Sequence, residues 1–133
     1  MLRVSHHKGK RPNILYVDDN EDHLFLVKEK MEERGKKFQL FIEQNGKKVL
    51  ERIKSIPFDL ILLDYELESE LNGLQILQLL RSKGIKCPVI MLTGQGDEKI
   101  AVEAIKSGAQ EYFCKSSEDI DDLVHLIENV LLH

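Results

Sequence analysis

Three aspartates stand where their charges would repel one another unless a cation lay between them. Asp18 and Asp19 follow the apolar run Asn13–Val17, and Asp64 ends the apolar run that begins at Phe58. Adjacent carboxylates disfavour each other's ionisation. Mg2+ prefers carboxylate oxygens and water as ligands, and a bound divalent cation offsets this repulsion. The residues therefore predict a divalent-metal site, with Mg2+ as the favoured ion and Mn2+ as an alternative.

A hydroxyl group and an ammonium group follow two further apolar runs. Thr93 ends the run that begins at Cys87, and Lys115 follows the short segment Glu111–Cys114. Taken singly, these polar residues have simple explanations. An Asp before a helix, such as those of the preceding paragraph, is commonly an N-cap, and a Lys after a strand is commonly solvated. Together with carboxylates and a cation, however, they suit phosphoryl transfer, in which positioning and charge neutralisation supply most of the catalysis.

The elements that must position these side chains alternate between strands and helices. Short apolar runs predict five strands, at Asn13–Val17, Phe38–Ile42, Phe58–Asp64, Cys87–Thr93 and Glu111–Lys115. Segments with apolar residues at helical spacing separate these runs, and another such segment closes the chain. This alternation predicts an α/β fold, a doubly wound five-stranded parallel sheet with helices on both faces. Because ligands bind beyond the carboxyl ends of such strands, the polar residues are expected at one edge of the sheet.

Length and composition predict one globular domain. The chain has 133 residues, of which 42% are hydrophobic and 32% are charged, and its formal net charge of −4 does not favour nucleic-acid binding. No apolar run reaches the roughly 18 residues of a membrane span, and no signal peptide is recognisable, so a cytoplasmic location is expected. The two cysteines, Cys87 and Cys114, are expected at opposite ends of neighbouring strands, too far apart for a disulfide.

The distribution of charge divides the chain into two parts. Residues 1–11 have no periodicity and no acidic residue, and we expect them to form a basic, flexible arm. Residues 12–133 contain every predicted strand and helix and form the single domain. The basic residues of the arm are Arg3, Lys8, Lys10 and Arg11.

Four short segments carry a resemblance to a known family. They are VDDN after the first strand, ILLDYEL at the third, MLTGQG at the fourth and EYFCKS at the fifth. Together, and in this order, they resemble the motifs of response-regulator receiver domains, the phosphoacceptor modules of two-component signalling. The similarity extends from Asn13 to Leu132. It implies a flavodoxin-like strand order, 2-1-3-4-5, with the three aspartates where the strand order reverses.

The resemblance implies a role for each matching residue around the metal. Asp64 corresponds to the phosphoacceptor, which becomes an acyl phosphate, and it also lies at the metal. Asp19 corresponds to a direct Mg2+ ligand, and Asp18 to a ligand that acts largely through water. The backbone carbonyl of Glu66 corresponds to a third protein ligand.

The resemblance also implies how a phosphoryl group would be held and sensed. Thr93 corresponds to the hydroxyl that binds the phosphoryl group, and Gly94 to the small residue whose NH approaches it. Lys115 corresponds to the cation that pairs with a phosphoryl oxygen. Tyr112 corresponds to the aromatic switch residue on the fifth strand.

The implied function is that of a phosphorylation switch rather than an enzyme. A sensor histidine kinase or a phosphotransfer protein would supply the phosphoryl group, and the domain would catalyse at most its own phosphorylation and dephosphorylation. A downstream protein would bind the face formed by the fourth helix, the fifth strand and the fifth helix, with no direct contact to nucleic acid or membrane. The alternative is a Mg2+-dependent phosphohydrolase-like enzyme with an aspartyl intermediate, which would show steady turnover.

Two features depart from the family's pattern. Ser116 follows Lys115 where family members commonly have a proline joined by a cis peptide. Because a cis bond before a non-proline residue is costly, we expect a trans bond there. The loop from Tyr65 to Gly73 lacks the usual proline and is one residue longer than the common form.

Three further residues near these elements receive ordinary interpretations. His23 is expected to be a surface residue in the first turn of a helix, and Tyr16 is expected to serve packing alone. Leu126 lies beside the apolar stripe of the last helix and is expected to be exposed on the partner-binding face.

Overall fold

The computed structural model describes residues 11–35, 37–94, 98–115 and 119–132. The strands are β1 (Asn13–Val17), β2 (Gln39–Glu43), β3 (Leu60–Asp64), β4 (Val89–Thr93) and β5 (Glu111–Cys114). The helices are α1 (Glu21–Glu33), α2 (Val49–Ser55), α3 (Gly73–Ser82), α4 (Glu98–Lys106) and α5 (Ile120–Leu131), and a short 3-10 turn, Gly46–Lys48, leads into α2. The basic arm before Arg11 and the Lys115–Ser116 bond lie outside the described residues, so the expectations for them stay predictions.

The five strands form one parallel sheet in the order β2-β1-β3-β4-β5. This arrangement confirms the predicted α/β fold and the strand order that the family resemblance implied. The order reverses between β1 and β3, because the chain adds β2 on one side of β1 and the later strands on the other. A crevice beyond the carboxyl ends of β1 and β3 is where such sheets bind ligands.

The two faces of the sheet pack against separate sets of helices. Alternate residues of a strand point to opposite faces, so Ile14 and Tyr16 pack with α1 and α5, whereas Leu15 and Val17 pack with α2, α3 and α4. Every residue of β3 and β4 is buried. Burial on both faces explains why these strands are continuous apolar runs in the sequence rather than alternating ones.

Two strands begin later than their apolar runs. β3 begins at Leu60, directly after Asp59, a buried acid whose side chain accepts a hydrogen bond from the Asn13 NH at 2.7 Å. β4 begins at Val89, directly after Pro88, which has no NH to donate. The apolar content of the runs is therefore a good guide to burial and a weaker guide to strand ends.

The structure separates the two cysteines along the sheet. Cys114 lies beside Thr93 in the register of β4 and β5, whereas Cys87 lies six residues before Thr93. At about 3.3 Å per residue, the two Cα atoms are roughly 20 Å apart along the strands. The prediction that no disulfide joins Cys87 and Cys114 is confirmed.

One surface expectation on α5 is wrong. Leu126 is half-buried and packs against the core cluster between the sheet, α1 and α5. The exposed apolar side chains of the neighbouring region are instead Val102 and Ile105 of α4, which are about half exposed at 49% and 50%.

Within the described residues, no helix is long and apolar enough to cross a bilayer.

Local capping determines how α1 and α3 start beside the strand ends. Asn20 caps α1, and its side chain accepts hydrogen bonds from the NH groups of Asp22 and His23. Asn72 and Gln75 form a reciprocal capping box at the start of α3. Such caps each contribute about 1 kcal/mol to helix stability. They also fix the direction in which the first turn of each helix leaves the sheet edge.

Gly73 allows the β3–α3 loop to return to the end of β3. Its NH donates to the Tyr65 carbonyl oxygen at 3.0 Å, and a Cβ at this position would overlap the backbone carbonyl oxygen of Asp64. Only glycine fits so close an approach. The loop is thereby closed over Asp64.

Candidate functional site

The predicted polar residues converge at one edge of the sheet. Asp18 directly follows β1, Asp64 ends β3, Thr93 ends β4 and Lys115 directly follows β5. Because the strands are parallel and β3 lies between β1 and β4, the carboxyl group of Asp64 lies at the centre of this edge. The residues that the sequence placed there one by one are therefore neighbours in space.

Asp18, Asp19 and Asp64 form a carboxylate cluster that could hold a metal ion. Each offers one oxygen, and these oxygens all lie within 4.8 Å of one another. Asp18 and Asp64 are buried, and Asp19 is half-buried, so the cluster opens toward solvent on the side of Asp19. An all-carboxylate donor set with a solvent-facing side fits a hard cation that keeps part of its water shell.

Lys115 lies against the same carboxylates. Its Nζ is 3.1 Å from Asp18 Oδ2 and 3.3 Å from Asp64 Oδ2, and only 9% of the side chain is exposed. The ammonium group partly compensates the charge of the pair, and its proximity to both acids makes it available to any anion that is attached to Asp64. A buried ion pair of this kind is retained at a cost in desolvation, which favours a functional over a purely stabilising role.

Burial, and after it the hydrogen bond with Asp18, raises the pKa of the Asp64 carboxyl to about 7 against the opposing effect of Lys115. Burial also opposes ionisation of Asp18. Its hydrogen bonds with Asp64 and with the Asn20 NH, together with Lys115, outweigh burial and keep the Asp18 pKa below the ordinary value. In the absence of a metal ion, the pair therefore holds a proton on the Asp64 side below about pH 7.

Thr93 and Gly94 present two hydrogen-bond donors next to Asp64. The buried Thr93 hydroxyl donates to Glu66 Oε1 at 3.0 Å, and the Gly94 NH donates to the same oxygen at 2.7 Å. The Glu66 NH in turn donates to Asp64 Oδ1 at 3.2 Å. A hydroxyl and an amide that converge on one anionic oxygen form a small anion-binding subsite.

The arrangement of strands, acids, lysine and hydroxyl matches one family of domains. A family model described as the response regulator receiver domain matches residues 14–128. The chain belongs to this family. Receiver domains are signalling modules of two-component systems, and the resemblance that the four sequence motifs indicated is thereby confirmed.

Individual relatives agree with the family assignment. This receiver domain is 31% identical over 125 residues to the transcriptional regulatory protein ZraR of Klebsiella oxytoca, a match that covers 94% of this chain and 27% of that protein. The chain thus spans about a quarter of the length of this curated relative.

Two solved receiver domains are similar in structure. One is from a Francisella response regulator, with a TM-score of 0.82, 29% identity and coverage of 91% of this chain and 97% of that chain. The other is from NtrX of Brucella abortus, with a TM-score of 0.79, 30% identity and coverage of 89% and 97%.

Tyr16 takes part in the receiver domain's site, although the sequence analysis assigned it to packing alone. Its hydroxyl donates to Asp18 Oδ2 at 2.7 Å. Burial and the neighbouring Asp18 raise the pKa of the Tyr16 hydroxyl far above its ordinary value, so it remains a donor. The signal was present in the sequence, because residues two apart in an extended segment point to the same side.

His23 is a partly exposed residue in the first turn of α1, as expected, but it also makes contacts at the site that the sequence analysis did not assign to it. Its Nδ1 is 2.8 Å from Lys115 Nζ and 3.7 Å from Asp18 Oδ2, while 38% of the side chain is exposed. His23 is in the first turn of α1, and the Asn20 cap directs that turn toward the carboxyl end of β5. The contact joins residues 92 positions apart, so no local pattern could reveal it.

The remaining predicted residues lie around this centre. The Asp19 side chain accepts a hydrogen bond from the Glu68 NH at 2.6 Å, which ties the β3–α3 loop to the carboxylate cluster. Tyr112 pairs with Met91 in the β4–β5 register and is half-buried against the core on the α3 and α4 side. Tyr112 therefore lies on the strand next to Thr93, two residues before Cys114, which pairs with Thr93 in the register.

Proposed function

We propose that this receiver domain accepts a phosphoryl group on Asp64 from a sensor histidine kinase or a phosphotransfer protein. The observation that carries the proposal is the central position of a buried Asp64 carboxyl between a carboxylate cluster, an ammonium group and a pair of hydrogen-bond donors. In the transfer, the P–N bond of a phosphohistidine breaks as a P–O bond to Asp64 forms, and the released imidazole takes up a proton. Lys115, Thr93 and the Gly94 NH then donate to the phosphoryl oxygens.

The metal ion in this proposal is Mg2+, with Mn2+ as an alternative, held by Asp19, Asp64 and the backbone carbonyl of Glu66. When bound, it neutralises charge on the phosphoryl oxygens. Asp18 acts largely through water. This division is supported by the hydrogen bonds that already occupy Asp18, whose Oδ2 accepts from Tyr16 and Lys115 and whose Oδ1 accepts from the Asn20 NH at 2.9 Å.

Phosphorylation then changes the face formed by α4, β5 and α5, where a downstream protein binds. A phosphoryl group on Asp64 draws the Thr93 hydroxyl inward, and Tyr112 on the neighbouring strand moves into the space behind it. The half-exposed Val102 and Ile105 of α4 supply apolar surface for the partner. A few kcal/mol of differential interaction is enough to shift such a population.

Incubation with Mg2+ and acetyl phosphate should add a single phosphoryl group to the protein. Asp64 is a strong candidate for a transient acyl phosphate, because its neighbours neutralise the charge of a bound phosphoryl group. Intact-mass spectrometry should detect one modification that requires Mg2+, disappears with EDTA and decays after the donor is removed. Continuous release of phosphate at a rate far above this decay would instead favour the phosphohydrolase alternative.

Removal of the charge at Asp19 should weaken Mg2+ binding more than removal of the charge at Asp18. We expect Asp18→Asn to lower the Mg2+ affinity about 10–100-fold, as is usual for groups that act behind the direct ligands, and Asp19→Asn to lower it more. Asparagine is the better replacement, because alanine at position 18 would strip Tyr16 and Lys115 of an acceptor. Calorimetric Mg2+ titrations measure both values, and the opposite ranking would contradict the assigned roles.

A further inference from the structure

The Glu66 side chain leaves the β3–α3 loop and spans the distance to the end of β4. One of its oxygens, Oε1, accepts both the Thr93 hydroxyl at 3.0 Å and the Gly94 NH at 2.7 Å. The packing at this point is tight, since a Cβ on Gly94 would lie 3.3 Å from the same oxygen. A carboxylate oxygen thus lies in the anion-binding subsite of this domain.

The backbone of Glu66 shows that this subsite faces Asp64. The Glu66 NH donates to Asp64 Oδ1 at 3.2 Å, so a single residue bridges the acid at the end of β3 and the two donors at the end of β4. In the proposed function, a phosphoryl oxygen attached to Asp64 must reach the same two donors. Glu66 Oε1 and that phosphoryl oxygen therefore need the same hydrogen bonds, and both carry negative charge, so they cannot share the subsite.

We propose that the Glu66 carboxylate is an internal competitor that occupies the phosphoryl-oxygen subsite and has to leave before Thr93 and Gly94 bind a phosphoryl group. This inference rests on the proposed function. The population with the subsite open is a fraction of the whole, and the apparent affinity for a phosphoryl group falls by that fraction. The residue at position 66 thereby sets how strongly Asp64 is driven toward its phosphorylated form.

The charge and the hydrogen-bonding capacity of Glu66 can be removed separately. Glu66→Ala removes both, whereas Glu66→Gln keeps an oxygen that can accept from Thr93 and Gly94 and removes only the charge. Glu29→Ala is the matched control. Glu29 is exposed on α1. It lies eight residues, about 12 Å along the helix axis, from Glu21, the end of α1 that is nearest the site. The Glu29→Ala substitution therefore removes the same charge at a distance from the site.

Nuclear magnetic resonance of the Gly94 amide tests the contact and the competition in one experiment. In the free wild-type protein the amide proton should resonate downfield, because it is bonded to a carboxylate, and Glu66→Ala should shift it upfield. In a titration with beryllofluoride and Mg2+, Glu66→Ala should bind the phosphoryl mimic about tenfold more tightly than wild type, since hydrogen bonds to a charged group no longer have to be broken. Glu66→Gln should lie between them, and Glu29→Ala should match wild type.

Two results would overturn the inference. One is an unchanged Gly94 amide resonance in free Glu66→Ala, and the other is an equal or weaker beryllofluoride affinity in that variant. Failure of the proposed function is a different result. If Asp64 cannot be phosphorylated in wild type, the Gly94 resonance of the free proteins still decides whether Glu66 occupies the subsite.

Discussion

Asp64→Asn should leave the protein at its unmodified mass under conditions that phosphorylate the wild type completely. The reason is chemical, because the neutral amide oxygen is a poor nucleophile toward phosphorus and no longer supplies an anionic ligand to the metal. The local geometry should survive in part, since the one carbonyl oxygen of Asn can still accept from the Glu66 NH, which contacts Oδ1 of Asp64, whereas Lys115 loses its contact with Oδ2 and keeps the one with Asp18. Intact-mass spectrometry after incubation with Mg2+ and acetyl phosphate measures the effect.

Asp22→Asn is the matched control for this experiment. Asp22 is an exposed acid in the first turn of α1, at the same end of the sheet. The Asp22→Asn variant should be phosphorylated on Asp64 with the wild-type yield. Phosphorylation of the Asp64→Asn variant at the wild-type yield would show that a residue other than Asp64 is the phosphoacceptor. The hydrogen bonds that occupy both oxygens of Asp18 make that acid a poor substitute.

The stability of the metal-free wild type should fall relative to Asp64→Asn as the pH rises from about 4 to about 7. In the folded protein the Asp64 pKa is raised from 3.8 to about 7, so the folded state binds more protons than the unfolded chain within that window. Stability from this group is therefore fully present below the unfolded pKa and is lost as the pH rises through the folded pKa. The lowered pKa of Asp18 has the opposite sign, and its contribution is lost below pH 3.8.

Above pH 7 the metal-free Asp64→Asn variant should be more stable than wild type by about 1–3 kcal/mol. This range is smaller than the free energy that corresponds to the full pKa shift, because Asp64 interacts closely with Asp18 and the shift is divided between the two acids. Urea unfolding in EDTA at pH 5 and pH 8 measures the difference, and Asp22→Asn should follow the wild type at both values. Added Mg2+ should narrow or reverse the gap, because it binds the folded wild type more strongly than the variant. A gap that is the same at both pH values would show that Asp64 is not the group that titrates.

Much of the fold could be predicted because local spacing reflects burial. The run Leu60–Leu63 is apolar throughout because helices cover both faces of β3, and the prediction of a parallel sheet depended on runs of this kind. Strand ends were less predictable. Phe58 and Cys87 are apolar enough to extend their runs, but the strands begin only at Leu60, after the buried acid Asp59, and at Val89, after Pro88, which has no NH to donate.

The residues of the site were predictable in type and approximate place. Asp18, Asp64, Thr93 and Lys115 each follow or end a strand, and parallel strands necessarily bring their carboxyl ends to one edge. Their assembly there follows from backbone topology and does not depend on side-chain conformation. The sequence by itself therefore determined the fold class, the edge that carries the site and the identity of its acids, hydroxyl and ammonium group.

Only the tertiary structure decided how side chains from different elements meet at that edge. His23 contacts Lys115 because the first turn of α1, which Asn20 caps, lies close to the residue that follows β5. Glu66 contacts Thr93 and Gly94 because the closed β3–α3 loop points its side chain toward β4. Spacing along a chain encodes the face on which a residue lies. The reach of a side chain across a gap depends instead on the packing of two elements and the path of the loop between them, which are properties of the folded molecule alone.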